Sequence, residues 1–138
     1  MEPKRVLIID DDVDFGTALK VVLEGNGYRV EQARNVAEGR TAIDRERPDL
    51  IILDVMMDKH TDGFDLCYSL KHDKDRQSIP ILMATAVTHE TGFKFSPETD
   101  GEYLQADEYV AKPIPVADLL TRVNRLLSRK AALGTPKP

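Results

Sequence analysis

Four places in the sequence set polar side chains directly after short apolar runs. Carboxylates follow the first and third of these runs, a hydroxyl follows the fourth, and an ammonium group follows the fifth. In order, the residues are Asp10, Asp11, Asp12, Asp54, Thr85 and Lys112. Neighbouring carboxylates repel one another, so the three consecutive aspartates cost free energy unless a cation or solvent offsets the repulsion. The first cluster is therefore either a solvated turn or a cation site.

The cation that such oxygen ligands favour is Mg²⁺, which keeps several waters and is commonly held by one or two carboxylates plus phosphate. Asp54 stands alone after its run, and a carboxylate can attack phosphorus to form an aspartyl phosphate. Lys112 and Thr85 would bind the phosphoryl oxygens, one by charge and one by a hydrogen bond. These residue types therefore predict magnesium-dependent phosphoryl transfer to Asp54.

Each of these residues alone has a simpler interpretation. A single aspartate after a strand is usually a turn former or a helix cap, and a lone lysine is more often solvated than functional. Asp12 and Asp14 stand where the first helix should begin, so they are interpreted as partners of the helix N-terminus. Only the coincidence of four strand ends favours a functional site.

The surrounding sequence predicts the elements that would bring these residues together. Short aliphatic runs alternate with longer amphipathic segments, which is typical of βα units around a parallel sheet. The predicted strands are Val6–Ile9, Tyr28–Val30, Leu50–Leu53, Ile81–Ala84 and Tyr109–Ala111. The predicted helices cover Phe15 to Leu23, Asn35 to before Pro48, Phe64 to about His72, and Val116 to Arg129. Ligands of an open parallel sheet bind outside the carboxyl ends of its strands, so the polar residues should share one edge.

Composition limits the class of protein. A chain of 138 residues fits one domain, and its net charge of −5 is dispersed without the basic stripe that nucleic-acid binding usually needs. Cys67 is the only cysteine, which excludes an internal disulfide and favours a role as small core filler. No apolar run approaches the roughly 18 residues of a membrane span, and the N-terminus lacks a signal-peptide core. We therefore expect a cytoplasmic protein without direct contact to nucleic acid or membrane.

Four motifs, "IIDDDVD", "LIILDVMM…DG", "ILMATA" and "YVAKP", occur in an order and at spacings that resemble the receiver domains of two-component response regulators. The resemblance covers about Lys4 to Arg129, so residues 4–129 would form the receiver domain and residues 130–138 a flexible tail or linker. It implies a flavodoxin-like, doubly wound α/β fold: a five-stranded parallel sheet of order 2-1-3-4-5 with helices on both faces. The chain would be a single-domain regulator or a piece of a longer protein.

The resemblance also implies residue roles. Asp54 would accept a phosphoryl group from a histidine kinase, a phosphotransfer protein or a small phosphodonor. Asp11 would bind Mg²⁺ directly, Asp10 through water, and Met56 through its backbone carbonyl. Such a domain is a signalling module rather than an enzyme, because it catalyses only its own phosphorylation and dephosphorylation. Its altered surface would bind an output protein or a second copy of the chain.

A switch is implied as well. Thr85 matches the switch hydroxyl, Tyr109 matches an aromatic rotamer switch, and Lys112 matches the family's lysine, whose bond to Pro113 is usually cis. Phosphorylation would draw Thr85 inward and open space for Tyr109, so that a local charge change shifts a two-state surface.

The chain departs from the family pattern at several places. Asp58 stands where a proline is often found, and the loop from Asp54 to Gly63 is about one residue longer than usual. Met56 and Val87 are apolar and cannot position an attacking water, which favours a long-lived phosphoform. The segment from Thr88 to Ala106, interrupted by glycines and a proline, is expected to replace or shorten the fourth helix with an irregular insertion. This insertion either packs its aromatic residues on the domain or forms a docking surface.

Two rival functions stay open on the sequence alone. An aspartate-nucleophile phosphatase would use Asp10 as its nucleophile, but it leaves Asp54 unexplained. A phosphate-independent interaction domain is disfavoured because the full acceptor set is present. The sequence names neither the kinase, the stimulus nor the output.

Overall fold

The computed structural model describes residues 3–54, 62–85 and 106–133. Within these ranges, strands and helices alternate along the chain. The strands are β1 (Arg5–Ile9), β2 (Arg29–Ala33), β3 (Leu50–Asp54), β4 (Ile81–Thr85) and β5 (Glu108–Ala111). The helices are α1 (Val13–Gly25), α2 (Val36–Arg45), α3 (Asp62–Lys71) and α4 (Val116–Leu133).

The strands form one sheet of order β2-β1-β3-β4-β5, and every neighbouring pair is parallel. This order confirms the predicted doubly wound fold. The register pairs Ile9 with Leu53 and Asp54 with Ala84, so Asp10 and Asp54 leave the sheet at the same level. Thr85 pairs with Ala111, the residue before Lys112. The carboxyl ends of four strands therefore bring the predicted site residues to one edge.

Two apolar cores hold the helices against the two faces of the sheet. Alternate strand residues such as Leu7 and Ile51 pack with α2 and α3, whereas Ile8 and Ile52 pack with α1 and α4. Successive side chains of a strand point to opposite faces, so a strand that is apolar at every position suits a sheet covered on both sides. This explains why β1 and β3 are buried along their whole length.

The helix ends follow local capping rules. Asn35 caps α2 by accepting a hydrogen bond from the Glu38 amide at 2.8 Å, and the Glu38 carboxylate accepts one from the Arg34 amide at 2.9 Å. This reciprocal arrangement is a capping box, which confirms the predicted start of α2. Helix α1 ends at Gly25, and Gly27 adopts a positive φ of 92° that favours glycine in the turn before β2.

Some boundaries differ from the predicted ones. Strand β2 begins at Arg29 because the amide of Tyr28 still bonds to the Leu23 carbonyl in the turn that ends α1. Helix α4 continues beyond Arg129 to Leu133, so residues 130–133, predicted as tail, are helical. The reason is composition, since lysine, alanine and leucine are strong helix formers.

The predicted irregular insertion between β4 and β5 lies almost entirely in residues 86–105, outside the described ranges. Among the described residues, no helix has the length and apolar character that a membrane span requires.

Candidate functional site

Asp10 is the most buried carboxylate of the predicted site. It follows β1, where its amide donates a hydrogen bond to the Ala33 carbonyl at 3.0 Å, which fixes its backbone between β1 and β2. Its Oδ1 atom accepts a hydrogen bond from the Asp12 amide at 2.8 Å. Asp10 is 3 % exposed and Asp54 is 4 % exposed, so both carboxylates are largely withdrawn from solvent. Burial of two acidic groups side by side requires a nearby positive charge.

Lys112 supplies that positive charge. Its Nζ atom lies 2.8 Å from Oδ2 of Asp10 and 3.5 Å from Oδ1 of Asp54, and its side chain is only 13 % exposed. The same Nζ atom lies 4.4 Å from the centre of the Phe15 ring. The preceding strand delivers the lysine here because β5 ends level with β4. Lys112 therefore sits between the two carboxylates that the sequence predicted to work together.

The acidic cluster can accommodate a cation. Oxygen atoms from Asp10, Asp11 and Asp54 all lie within 4.8 Å of one another, and Asp11 is exposed. Among the described residues, Oδ2 of Asp10 is a buried oxygen that accepts no hydrogen bond, because its contact with Lys112 is an ion pair without hydrogen-bond geometry. A buried carboxylate oxygen that accepts no hydrogen bond, together with two neighbouring carboxylates, supplies the oxygen ligands that Mg²⁺ prefers. These residues therefore fit the predicted ion.

Asp12 and Asp14 belong to the start of α1 rather than to the cluster. Asp12 is the N-cap, and its carboxylate accepts a hydrogen bond from the Phe15 amide at 3.1 Å. Asp14 lies in the first turn, where a negative charge is favourable beside the helix dipole. The interpretation of both as helix-start residues is confirmed.

The remaining predicted positions are only partly described. The backbone of Thr85 ends β4 opposite Ala111, at the same edge as the carboxylates. Met56, Asp58 and Val87 lie outside the described residues. The peptide bond between Lys112 and Pro113 is cis, as the family resemblance implied.

Tyr109 is half-buried and is fixed by a hydrogen bond. Its hydroxyl oxygen accepts a bond from the Ala106 amide at 3.0 Å, and its ring packs against the core that contains α2 and α3. Burial raises the pKa of Tyr109 to about 12, although the bond from Ala106 opposes the shift. The residue predicted as a rotamer switch is thus tied to the chain just before β5.

Two groups of contacts have no signal in the sequence, one at the opposite edge of the sheet and one at the site. Lys71 donates to the Asp107 carboxylate at 2.8 Å and to the Ile79 carbonyl at 2.9 Å, and the same carboxylate accepts from the Ile81 amide at 2.8 Å. These hydrogen bonds connect the end of α3 to the starts of β4 and β5. The second is the contact between Phe15 and Lys112. The sequence marks Phe15 only as part of an apolar helix face.

Cys67 confirms its predicted role as core filler. It is fully buried on α3, and burial raises the pKa of its thiol to about 12. A thiol that stays protonated at neutral pH is a poor nucleophile.

The family model of the response regulator receiver domain matches residues 6–124. The chain belongs to the response regulator receiver family. A receiver domain protein from Methanospirillum hungatei, described as CheY-like, superposes with a TM-score of 0.80 at 30 % identity, covering 96 % of this chain and 99 % of that one. A putative response regulator from Chloroflexus aurantiacus gives a TM-score of 0.78 at 32 % identity, covering 92 % and 99 %.

Longer relatives of this receiver domain are similar in sequence. The DNA-binding dual master transcriptional regulator RpaA of Synechocystis is 38 % identical over 91 % of this chain and 49 % of its own length. Response regulator MprA of a Mycobacterium species is 37 % identical over 92 % and 52 %. The chain thus spans about half the length of these curated relatives. Family membership makes it a two-component signalling domain and gives no support to the phosphatase alternative.

Proposed function

We propose that this receiver domain accepts a phosphoryl group on Asp54 in a magnesium-dependent reaction. The observation that carries the proposal is the position of the Asp54 carboxylate: it is buried at the end of β3, 3.5 Å from the Lys112 ammonium and inside a three-carboxylate cluster. Such a group is close both to a cation site and to a fixed positive charge, which phosphoryl transfer requires.

The reaction follows from the chemistry of these groups. A carboxylate oxygen of Asp54 attacks phosphorus, and the bond from phosphorus to the donor nitrogen of a phosphohistidine breaks with its electron pair passing to that nitrogen. Lys112, which already reaches Asp54, pairs with an oxygen of the transferred group. Asp10, Asp11, Asp54 and the backbone carbonyl of Met56 would hold Mg²⁺, whose charge offsets the negative charge on the phosphoryl oxygens.

The switch is proposed to use Thr85 and Tyr109. Thr85 ends the strand beside Asp54, so its hydroxyl is assigned to a phosphoryl oxygen. The Tyr109 hydroxyl accepts a hydrogen bond from the Ala106 amide. A change in the Tyr109 rotamer would break this hydrogen bond and free the Ala106 backbone just before β5. This provides a route from the phosphorylated edge to the segment 86–105.

The partners are proposed by class. The donor is a histidine kinase or a phosphotransfer protein, and the phosphorylated surface binds an output protein or a second copy of the chain. Relatives of twice the length, one of them named as a DNA-binding regulator, support a downstream output of that kind. The dispersed charge favours an output reached through protein contacts, and the domain is proposed to act in the cytoplasm. The receiver unit is proposed to span residues 4–129.

The test is phosphorylation by acetyl phosphate with Mg²⁺, followed by intact mass measurement. The wild type should gain one phosphoryl group, and Asp54→Asn should gain none. Asp12→Asn is the matched control, because it alters a neighbouring carboxylate that caps α1 and should leave the reaction intact. Modification that persists in Asp54→Asn but disappears in Asp10→Asn would contradict the proposal and favour the phosphatase chemistry.

A further inference from the structure

The aromatic ring of Phe15 faces the ammonium group of the site lysine. The Nζ atom of Lys112 lies 4.4 Å from the ring centre, within the range in which the negative face of an aromatic ring attracts a cation. The backbone and the side chain of Phe15 are each held by a contact. The Phe15 amide donates to the capping Asp12 carboxylate at 3.1 Å, and the side chain packs against the core shared by α1 and α4.

We propose that Phe15 is a positioning residue that keeps the Lys112 ammonium beside Asp54. This inference rests on the proposed function and adds to it a residue that touches neither the phosphoryl group nor the cation. The proposed role concerns how the Lys112 ammonium is placed relative to the two carboxylates that it contacts, Asp10 and Asp54.

Two distances from the lysine motivate this role. Lys112 lies closer to Asp10, at 2.8 Å, than to Asp54, at 3.5 Å. Asp10 would share its charge with a bound cation, and Asp54 would change its charge when phosphorylated, so both ionic contacts of the lysine vary during the reaction. The Phe15 ring is not altered by either event. It therefore gives the ammonium a constant attraction while its ionic partners change.

The kind of attraction also matters. An ammonium group has three N–H donors, and contact with a ring face leaves hydrogens available for oxygen acceptors. A third carboxylate in place of Phe15 would hold the lysine more strongly but would compete with the phosphoryl oxygens. An aliphatic side chain would fill the space without attracting the ammonium, which could then move away from Asp54 into solvent.

The contact is tested by NMR of the lysine side chains. A methylene group that lies over a ring is shifted upfield, so the ε protons of Lys112, assigned by their loss in Lys112→Arg, should resonate upfield of those of Lys4. The shift should vanish in Phe15→Leu and persist in Phe15→Tyr. This readout does not depend on phosphorylation.

The role is tested by the rate of phosphorylation with acetyl phosphate and Mg²⁺. Phe15→Leu should react about threefold to tenfold more slowly, the factor expected for a partly desolvated cation–π contact. Phe15→Tyr should restore the rate. Val22→Ala removes apolar side-chain atoms from the same helix at a position away from the lysine, and it should react like the wild type. Phe15→Met is measured in parallel, so that a result is available if the leucine variant unfolds.

The outcomes separate the two proposals. A wild type that is never phosphorylated refutes the proposed function and the role of Phe15 with it. A phosphorylated wild type whose Phe15→Leu and Phe15→Met variants react equally fast refutes only the role of Phe15. Equal slowing in Phe15→Leu, Phe15→Tyr and Val22→Ala also refutes it, because the effect would then be general destabilisation.

Discussion

The Oδ2 atom of Asp10 lies 2.8 Å from the Nζ atom of Lys112 and accepts no hydrogen bond from the described residues. The Lys112 ammonium is therefore a direct ionic partner of this buried carboxylate. The same ammonium lies 3.5 Å from Oδ1 of Asp54, so it contributes to offsetting the charge of two buried carboxylates. If Lys112 also binds the phosphoryl group, as proposed, folding stability and phosphoryl transfer use the same side chain.

Replacement of this lysine should destabilise the metal-free protein. Lys112→Met keeps most of the side-chain volume but removes the ammonium group that contacts two buried carboxylates, which should lower the free energy of unfolding by about 2–4 kcal/mol. Urea unfolding in the presence of a chelator measures the effect. Lys4→Met, at an exposed position, is the control, and equal stability of the two variants would show that the buried pair contributes little.

Magnesium should stabilise the folded protein through Asp11. At a free ion concentration ten times the dissociation constant, binding should add about 1.4 kcal/mol to the free energy of unfolding. For a chain of this size, the unfolding midpoint should rise by about 4–5 °C. Asp11→Asn should remove most of this rise while changing the metal-free midpoint little, since Asp11 is exposed. An unchanged response in Asp11→Asn would exclude this carboxylate as a ligand.

The sequence predicts those positions of the site that follow from the topology of the sheet. Once the apolar runs are interpreted as parallel strands, Asp10, Asp54 and Lys112 must meet at one edge, because that edge is where such strands end. Capping was predictable for the same local reason, as Asp12 and Asn35 show. These features depend on residues near in sequence or on a single sheet order.

The contacts that were not predictable depend on tertiary packing. Phe15 contacts Lys112 across 97 residues because the start of α1 and the end of β5 both lie at the carboxyl edge of the sheet, and periodicity alone marks Phe15 as core. Lys71 and Asp107 likewise come together through the packing of α3 against the sheet. Neither pair has a spacing or motif that a single sequence could reveal.

The hydroxyl of Tyr109 should contribute to folding stability through the Ala106 amide. Tyr109→Phe removes the acceptor of this 3.0 Å bond and should lower the free energy of unfolding by about 1 kcal/mol. Tyr68→Phe, on the exposed side of α3, should have no comparable effect. Urea unfolding of both variants gives the comparison, and equal losses would mean that the bond to Ala106 adds nothing specific.

Glu108 should make stability depend on pH in the acid range. Hydrogen bonds from Arg125 are the main cause that lowers its pKa below the ordinary 4.5, with a smaller contribution from Arg122 and partial opposition from burial. A lowered pKa in the folded state means that the stabilisation is complete above pH 4.5 and is lost as pH falls through the folded value.

The stability difference between wild type and Glu108→Gln should therefore be constant near neutral pH and shrink below pH 4.5. Arg125→Gln should produce a smaller shrinkage, because Arg122 still pairs with Glu108, and the double variant should lose no more than Glu108→Gln alone. Additive effects of the two substitutions in urea unfolding at pH 7 would contradict the coupling.

Gly39 allows α2 to approach β1 closely. A methyl group added at Gly39 would lie 2.6 Å from the Cδ1 atom of Ile9, which is fully buried. Gly39→Ala should therefore destabilise the protein by about 1–3 kcal/mol through overpacking, less the roughly 1 kcal/mol that alanine gains over glycine in a helix. Ile9→Val removes the clashing atom, so the double variant should be more stable than Gly39→Ala alone.

Because Asp10 follows Ile9 directly, Gly39→Ala should also disturb the carboxylate cluster and weaken Mg²⁺ binding, whereas the double variant should recover it. Thermal unfolding with and without Mg²⁺ measures both effects, and strictly additive losses in the double variant would show that the two residues are not in contact.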